Sequence, residues 1–557
     1  MIDAPWHVRR HERAKAARDT LAWIWRDSYQ YTYPCRGTRW WTGGVGVSNA
    51  GQSEAAQGAS GQAQLLDETG TDAVRILASA LKDGGTPATS RWFGLEVDDA
   101  DDAGEVFLDR ASERTWKFIH ASGYDSVGYE CLVDLVCAGQ FVMFVEEDED
   151  PAGHPYRFTQ WEFADCTFSA SKSAGRVDTI SRDFQMTAEQ AVNTYGDGGR
   201  LGENITGMAT TEPDKLFQFL WCIYPREGPH GPFALNMPFA SCIIDKQTKA
   251  VIHESGFNEF PCVVPRWMLI PGSQYAVGPA YEALPAMRQL NKTIELQILG
   301  LELHAGAGTY KGYDDGVFNP RTVKLGSRRV VVVGEIDNLV PLAQAGDMKA
   351  TLIDIERLQK NIRKVLLADA LEPQDTGTKT ATEVQIRLDL IRQQLGPLYG
   401  RMEAEYHTAL VERCFAIALR RGAFGPVPRS IANKQYKVRY QSPLARAQRM
   451  VDVNAIDRYV QSTMVDAQID PTVTDNIDIK AANKMRAERL GVPRELLREQ
   501  AAVDKLVKER AVRQSAAEAE HMMAAGAQAA DNQQLSTAAT AGAGVADRMQ
   551  AMRTAAA

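Results

Sequence analysis

Apolar residues recur at helical spacing in two segments near the middle of the chain, and each pattern predicts a long amphipathic helix. A helix of about 20 residues is roughly 30 Å long. A Gly-rich, strand-like insert separates the two segments, so the sequence predicts two long helices that bracket a small α/β unit. Residues 282–304 place Leu284, Met287, Ile294, Ile298 and Leu301 on one face, and residues 348–367 place Leu352, Ile355, Leu358, Ile362 and Val365 on one face.

The first half of the chain changes from a helical period to a strand period. Helical patterns cover residues 9–29, a segment that starts at Asp72, residues 106–123 and residues 126–138. Residues 140–270 alternate between apolar and polar positions in short segments, which predicts antiparallel strands and hairpins. One helix interrupts them, because Thr187 and Gln190 have the spacing of a capping box. The fold class is therefore predicted to be α+β and mainly helical.

The second half is predicted to be helical with identifiable breaks. Residues 368–380 contain Pro, Gly and Thr and predict a loop, and residues 381–421 predict a very long helix. Pro397 lies inside that helix and should kink it, because proline removes a backbone donor and clashes with the preceding turn. The chain after Tyr436 is predicted to be mostly helical. Residues 43–64 and the Ala-rich end have compositions typical of flexible segments.

Composition and charge restrict the class of protein. The 557 residues have a formal net charge of −9, which excludes a generally basic protein that coats nucleic acid. The eight cysteines show no zinc-type spacing and indicate buried thiols in a reducing compartment. No apolar run is long enough for a membrane span, and the charged N-terminus has no pattern of a signal peptide. A water-soluble protein is expected.

Motifs for catalysis are missing from the sequence. It contains no G-x-x-x-x-G-K-[ST] loop, no G-x-S-x-G and no H-E-x-x-H. His253 and Glu254 lack a second histidine one turn on, and the acidic run at 98–102 is typical of a solvated loop rather than of a cation site. We therefore predict no enzyme activity, no catalytic residues, no cofactor and no metal site.

Five stretches together resemble the head-to-tail connector (portal) family of short-tailed, podovirus-type phages. They occur in the family's order, which makes the combined resemblance much more specific than any single stretch. The stretches are LLDETGTDAVRILASALKDGGTP with RWFGLEV at 65–97, VPRWMLIPGSQYAVGPAYEALPAMRQLNK at 264–292, KTATEVQIRLDLIRQQLGPLYGRMEAE at 379–405, YQSPLARAQR at 440–449 and DNIDIKAANKMRAERLGVP at 475–493.

The resemblance implies a portal fold with a wing, two stem helices, an α/β clip, a tunnel loop, a long kinked helix and a helical crown. The helix, insert, helix, loop and long helix predicted from periodicity follow the same order. The implied boundaries are 1–280 for the wing, 281–305 and 347–367 for the stem helices, 306–346 for the clip, 368–380 for the tunnel loop, 381–425 for the long wing or spine helix, 426–510 for the crown and 511–557 for a tail that is flexible or forms a helical barrel.

The resemblance also implies function and partners. Such a chain forms a dodecameric ring at one capsid vertex, through which double-stranded DNA is packaged and ejected, and is located at the portal vertex of the virion after assembly in the host cytoplasm. Expected partners are other copies of the chain, DNA bound without sequence preference, the terminase packaging motor, major capsid and scaffolding proteins, and tail adaptor or nozzle proteins. No membrane partner is expected.

Two sets of charged residues are candidate functional positions. The first set would touch DNA in the channel, with a solvated or subunit-bridging charged face as the alternative, and consists of Arg357, Lys360, Arg363, Lys364 and, in the tunnel loop, Lys379. The second set would lie on the clip that docks the motor and then the tail, with plain solvation as the alternative, and consists of Lys311, Arg321, Lys324, Arg328 and Arg329.

Three other classes of protein remain as alternatives. A different neck or tail adaptor would lack the bracketed insert followed by a long Pro-containing helix. A packaging nuclease-ATPase would need a Walker loop and an acidic metal cluster. A host scaffold of helical repeats is opposed by the strand-rich residues 140–270 and by the lack of a fixed repeat.

Overall fold

The computed structural model describes residues 3–42, 65–97, 101–148, 155–172, 175–196, 200–228, 230–231, 233–305, 310–312, 339–341, 348–371, 396, 400–429, 431, 436–440, 443–466, 478–490, 503 and 505–517. Its helices are α1 Ala4–Asp19, α2 Ala22–Gln30, α3 Thr38–Thr42, α4 Thr69–Gly85, α5 Asp102–Ala121, α6 Tyr124–Ala138, α7 Ala188–Tyr195, α8 Glu203–Thr211, α9 Pro279–Ala305, α10 Met348–Val365, α11 Ala368–Leu371, α12 Thr408–Arg420, α13 Pro443–Asp466 and α14 Ile479–Leu490.

The strands are shorter and lie mainly in the first half of the chain. They are β1 Phe93–Glu96, β2 Val142–Glu147, β3 Tyr156–Trp161, β4 Cys166–Ser169, β5 Thr179–Thr187, β6 Leu216–Pro225, β7 Phe239–Asp245, β8 Val251–Phe257, β9 Cys262–Val263, β10 Met268–Leu269, β11 Ala276–Val277, β12 Tyr310–Gly312, β13 Leu339–Pro341 and β14 Lys437–Tyr440.

The five-stranded sheet has the order β4-β5-β6-β7-β8, and every neighbouring pair is antiparallel. Both of its faces are covered. Phe217 and Phe219 point to the side of α7 and α8, whereas Leu220 and Cys222 point to the side of α1. The covering of both faces explains why β6 reads as a nearly continuous apolar run, LFQFLWCIYP, instead of alternating strictly with polar residues.

The largest core joins the N-terminal helices to the base of α9 and α10. Helix α6 lies at its centre, in contact with α2, α4, α9 and β3. Trp25 of α2 is fully buried, and its indole Nε1 donates to the carbonyl of Ala276 at 3.0 Å. Gly139 ends α6 with φ 83°, and a Cβ there would lie 2.1 Å from the carbonyl carbon of Val277. Only glycine permits this close approach of the two segments.

The predicted fold class is confirmed, because the described residues are mainly helical with antiparallel sheets. Several elements also match their predictions. Helices α4, α5, α6, α9 and α10 occupy the segments that the apolar spacing indicated. Helix α7 begins at a complete capping box, in which the backbone N–H of Gln190 donates to Thr187 Oγ1 at 3.2 Å and the backbone N–H of Thr187 donates to Gln190 Oε1 at 3.1 Å.

The single helix predicted for residues 9–29 is wrong, because the structure has α1 and α2 with a break after Asp19. The chain turns there so that α1 covers the five-stranded sheet while α2 enters the main core. Arg18 fixes the turn: its side chain is buried, and its Nη1 donates to the carbonyls of Ala164 and Cys166 at 2.5 and 2.9 Å. These partners are distant in sequence, so periodicity alone could not indicate the break.

Two predictions in the second half need correction at their edges. Residues 368–371 are helical rather than part of a loop: Leu367 adopts φ 59° and ends α10, and buried Ala368 begins α11. Residues 437–440 form β14, which pairs with β1, instead of helix. The predicted long helix is confirmed from Gly400 to Arg420, with a π-helical segment at Glu403–His407. Pro397 and its predicted kink lie outside the described residues.

Candidate functional site: the α9–α10 helix pair

Helices α9 and α10 pack against each other, and their inner ends are anchored in the main core. At the start of α9 the buried residues include Leu284, Met287 and Leu290. At the end of α10, Ile362 and Leu366 are completely buried. Because the beginning of α9 and the end of α10 lie in the same core, the two helices run in opposite directions, as a helical hairpin.

Polar contacts fix this inner end to the N-terminal part of the chain. Arg288 of α9 forms an ion pair with Asp27 of α2. Gln359 of α10 donates from Nε2 to Asp67 Oδ2 at 2.8 Å. Asn291 accepts a hydrogen bond at 3.3 Å from the backbone N–H of Leu66. These positioning residues were not predicted from the sequence, since nothing in their local spacing identifies partners more than two hundred residues away.

The outer half of the pair has exposed apolar side chains. Met287, Leu290 and Ile294 form an apolar stripe that is buried or partly buried near the core. Ile298 and Leu301 continue this stripe outward, but Ile298 is 41% exposed and Leu301 is 47% exposed. Other apolar residues at this end are also exposed, namely Leu296, Leu299, Leu352 and Ile353. Large exposed aliphatic side chains grouped on adjoining helices are typical of a surface that a partner covers.

Three of the predicted channel cations lie together on α10. Arg357, Lys360 and Lys364 are exposed, and their i, i+3, i+7 spacing places them on one side of the helix. That side is opposite the buried stripe of Leu358 and Ile362. The Arg357 guanidinium lies 3.1 Å from Asp354, and both side chains are more than half exposed, so this pair holds the cation only weakly.

The remaining candidate positions differ in what the structure describes. Arg363 lies one turn from Lys360 but is half-buried, and it has an interaction within the chain. The backbone of Lys311 belongs to β12, which pairs with β13. The side chain of Lys311 lies outside the described part of the chain, as do Lys379, Arg321, Lys324, Arg328 and Arg329.

The π-helical segment at Glu403–His407 contributes a second set of buried polar groups. The Tyr406 hydroxyl lies 2.5 Å from that of Tyr124, whose hydroxyl donates to Thr86 Oγ1 at 3.1 Å. Burial lowers the pKa of His407 to about 3, so its imidazole is neutral at physiological pH. Trp92, fully buried, packs edge-to-face on this imidazole at 5.7 Å between ring centroids. The π-helical segment is therefore a tightly packed part of the core.

Several aromatic residues and the acidic run of the sequence have structural explanations. Trp92, Phe93 and Trp161 are core residues. Asp101 accepts a hydrogen bond from the N–H of Gly104 at 2.8 Å and caps α5. Among the described residues, no group of three or more His, Cys, Asp or Glu side chains is arranged to hold a metal ion. No helix in the part of the chain that the structure describes is long and apolar enough to cross a membrane.

Solved structures with some similarity come from gene transfer agent (GTA) particles. A chain of the virion of a native GTA particle is 12% identical, with coverage of 70% of this chain and 85% of that chain and a TM-score of 0.31. A chain of the neck of an empty GTA particle is 12% identical, with coverage of 70% and 86% and a TM-score of 0.33. Likeness at this level is low.

The sequence relatives and the family profile are more informative. The "Probable portal protein" of Bordetella phage BPP-1 is 26% identical over 497 residues, which cover 84% of this chain and 85% of the relative. The "Portal protein" of Salmonella phage epsilon15 is 25% identical over 539 residues, which cover 93% and 92%. The profile of the family described as "Bacteriophage head to tail connecting protein" matches residues 7–497. The chain therefore belongs to the bacteriophage head-to-tail connecting protein family.

Proposed function

We propose that this chain is the portal subunit of a tailed phage and forms a dodecameric ring at one capsid vertex, around a channel for double-stranded DNA. In this proposal the terminase packaging motor docks first and tail adaptor or nozzle proteins follow. The major capsid and scaffolding proteins surround the ring, which assembles in the host cytoplasm and remains at the portal vertex of the virion. The role is structural and involves no catalysis, cofactor or metal.

The observation that carries the proposal is the exposed apolar outer half of the helix pair. Leu296 is 57% exposed and Leu352 is 49% exposed, although both lie on long, well-packed helices. Burial of such side chains contributes roughly 1.5–3 kcal/mol each. A neighbouring copy of the chain presents the same helix pair, and ridges of one pair can pack into grooves of the next. Repetition of one head-to-tail contact through a rotation that closes gives a ring.

The charge distribution supports a channel that does not grip DNA tightly. Arg357, Lys360 and Lys364 are exposed cations on the face of α10 that is turned away from the core. In a ring this side of α10 can face the lumen, where a few cations per subunit would meet phosphates without reading bases. The overall charge of −9 opposes additional electrostatic binding along the rest of the surface.

Ring formation is tested with purified full-length protein by negative-stain electron microscopy and native mass spectrometry. We expect rings with a central hole, and we expect the double variant Leu296→Glu/Leu299→Glu to yield folded protein that no longer closes into rings. The matched control is Leu235→Glu, which places the same charge at a leucine that is 55% exposed in the β6–β7 loop. A ring that persists in the double variant, or a wild-type chain that stays a single copy, contradicts the proposal.

A further inference from the structure

Two cysteines face each other in the middle of the five-stranded sheet. Strands β6 and β7 are antiparallel, and their register pairs Cys222 directly with Cys242. Both side chains are on the face that α1 covers, together with Ala4 and Val8, and both are buried, at 1% and 0% exposure. The sequence separates them by a hairpin, so this juxtaposition results from the register of the strands.

This arrangement meets the distance requirement for a disulfide. Directly opposed residues of an antiparallel pair have Cα atoms about 4.5 or 5.5 Å apart, and their side chains point to the same face. Disulfides span Cα separations of about 4.4–6.8 Å. The two thiols lie close enough to affect each other's ionisation: the pKa of Cys222 is lowered by Cys242, and the pKa of Cys242 is raised by Cys222. The disulfide can therefore form without a change in the register of β6 and β7.

The surroundings of Cys222 favour its reaction. The neighbouring Cys242 and His7 lower the pKa of the Cys222 thiol against the opposing effect of burial. The hydroxyl of Ser181 also donates to its sulfur at 3.4 Å. Cys222 lines a small cavity under α1 together with His7 and Arg10. Electropositive neighbours of this kind stabilise a thiolate, which is the nucleophilic form.

We propose that Cys222 and Cys242 form a reversible dithiol–disulfide couple, reduced while the chain is made and oxidised by a peroxide once the particle leaves the reducing compartment. The Cys222 thiolate attacks hydrogen peroxide and becomes a sulfenic acid, with release of hydroxide. The sulfur of Cys242 then attacks the Cys222 sulfur, water leaves, and the S–S bond forms. In total two thiols and one peroxide give one disulfide and two waters.

The bond would join the central strand β6 of the sheet to its neighbour β7 beneath α1. It would close the chain between Cys222 and Cys242 into a covalent loop and restrict the unfolded ensemble of this region. The thiols of Cys131, Cys166, Cys262 and Cys414 are also buried, but burial raises the pKa of each, which keeps them in the unreactive thiol form. The timing of oxidation rests on the proposed function, whereas the chemistry of the pair does not.

The pair is tested on the full-length protein in a Cys35→Ser background, because Cys35 is exposed and would form intermolecular disulfides. The protein is treated with hydrogen peroxide, blocked with N-ethylmaleimide and digested without reductant. Mass spectrometry should detect the two peptides that contain Cys222 and Cys242 as one linked species. Its mass should be lower by two hydrogen atoms than the sum of the masses of the two reduced peptides. Dithiothreitol should reverse the link and restore reaction of both thiols with maleimide after unfolding.

The controls separate this pair from general oxidation. Cys222→Ala and Cys242→Ala should each abolish the link, while Cys414→Ala should leave it unchanged. The assignment on the unsubstituted pair does not depend on whether those variants fold. Free thiols at both positions after a treatment that oxidises exposed methionines would overturn the proposal, and so would sulfinic acid at Cys222 without any link. Either result is independent of whether the protein forms a ring.

Discussion

Arg266 and Glu405 form a buried ion pair that ties the segment after β9 to the π-helical segment at Glu403–His407. The guanidinium Nε donates to Glu405 Oε2 at 3.0 Å, and the backbone N–H of Arg266 donates to the same oxygen at 3.1 Å. The two side chains are only 4% and 10% exposed. The carboxylate of Glu405 therefore fixes both the side chain and the main chain of Arg266.

Loss of this carboxylate should destabilise the protein strongly. Glu405→Gln leaves the Arg266 charge buried without compensation, for which we expect a decrease of about 3 kcal/mol in the free energy of unfolding. The matched control is Glu113→Gln, because Glu113 pairs with Lys117 at 2.6 Å in a pair that is more than half exposed and should contribute less than about 1 kcal/mol. Urea denaturation followed by tryptophan fluorescence measures both. Equal effects of the two variants would contradict the assigned role.

A second buried carboxylate should make the docking of α1 depend on pH. Asp183 of β5 is 1% exposed and lies within 3.1 Å of His11 and 3.0 Å of Lys15 and of Lys246. Burial by itself raises the pKa of Asp183, but the nearby imidazole of His11 and the charges of the two lysines outweigh it and lower that pKa below the ordinary value of 3.8. The folded state thus favours the ionised carboxylate.

The stabilisation is therefore fully present above the ordinary pKa of 3.8 and is lost as the pH falls further, through the lower pKa of the folded state. Asp183→Asn should reduce stability by about 3 kcal/mol near neutral pH. The difference from the unmodified protein should shrink in acid, as measured by thermal melting across pH. Asp354→Asn alters an exposed pair and should change the melting temperature little. A penalty for Asp183→Asn that stays constant below pH 3.8 would exclude the electrostatic origin.

The cations of α10 should matter for DNA rather than for folding. We expect Arg357→Gln/Lys360→Gln/Lys364→Gln to reduce the DNA packaged per head, because the channel would lose its phosphate contacts. The melting temperature should stay unchanged, since all three side chains are exposed. The matched control is Lys117→Gln/Arg157→Gln/Lys215→Gln, which removes three exposed cations on other elements and should leave packaging unchanged. A full DNA content in heads built from the triple variant would contradict a channel role.

The helix pair was predictable from sequence because its apolar positions repeat locally, and the capping box of Thr187 and Gln190 was predictable for the same reason. The cations of α10 could be singled out from the sequence, and their contact with DNA stays a prediction. Arg357, Lys360 and Lys364 follow from helical spacing, but the half-burial of Arg363 depends on how α10 packs against its neighbours. Spacing along one helix cannot show that packing.

The contacts that needed the structure are those between residues distant in sequence. Arg266 and Glu405 come from unrelated segments, and each alone resembles an ordinary surface charge. The eight cysteines resemble scattered buried thiols until the register of β6 and β7 places Cys222 opposite Cys242. Strand register depends on the whole hairpin and its covering helices, so it is not contained in the spacing of the two cysteines.

The pairing of β1 with β14 has a consequence for how the chain matures on the ribosome. Phe93 pairs with Tyr440 and Glu96 with Lys437. Strand β1 therefore cannot pair until β14 has been synthesised, more than three hundred residues later. Until then the backbone groups along that edge remain open, and unpaired strand edges attract other chains. A polypeptide truncated before Lys437 should therefore be prone to aggregate during biosynthesis. In a polypeptide that includes β14, this strand covers the edge of β1 before other copies of the chain can pair with it.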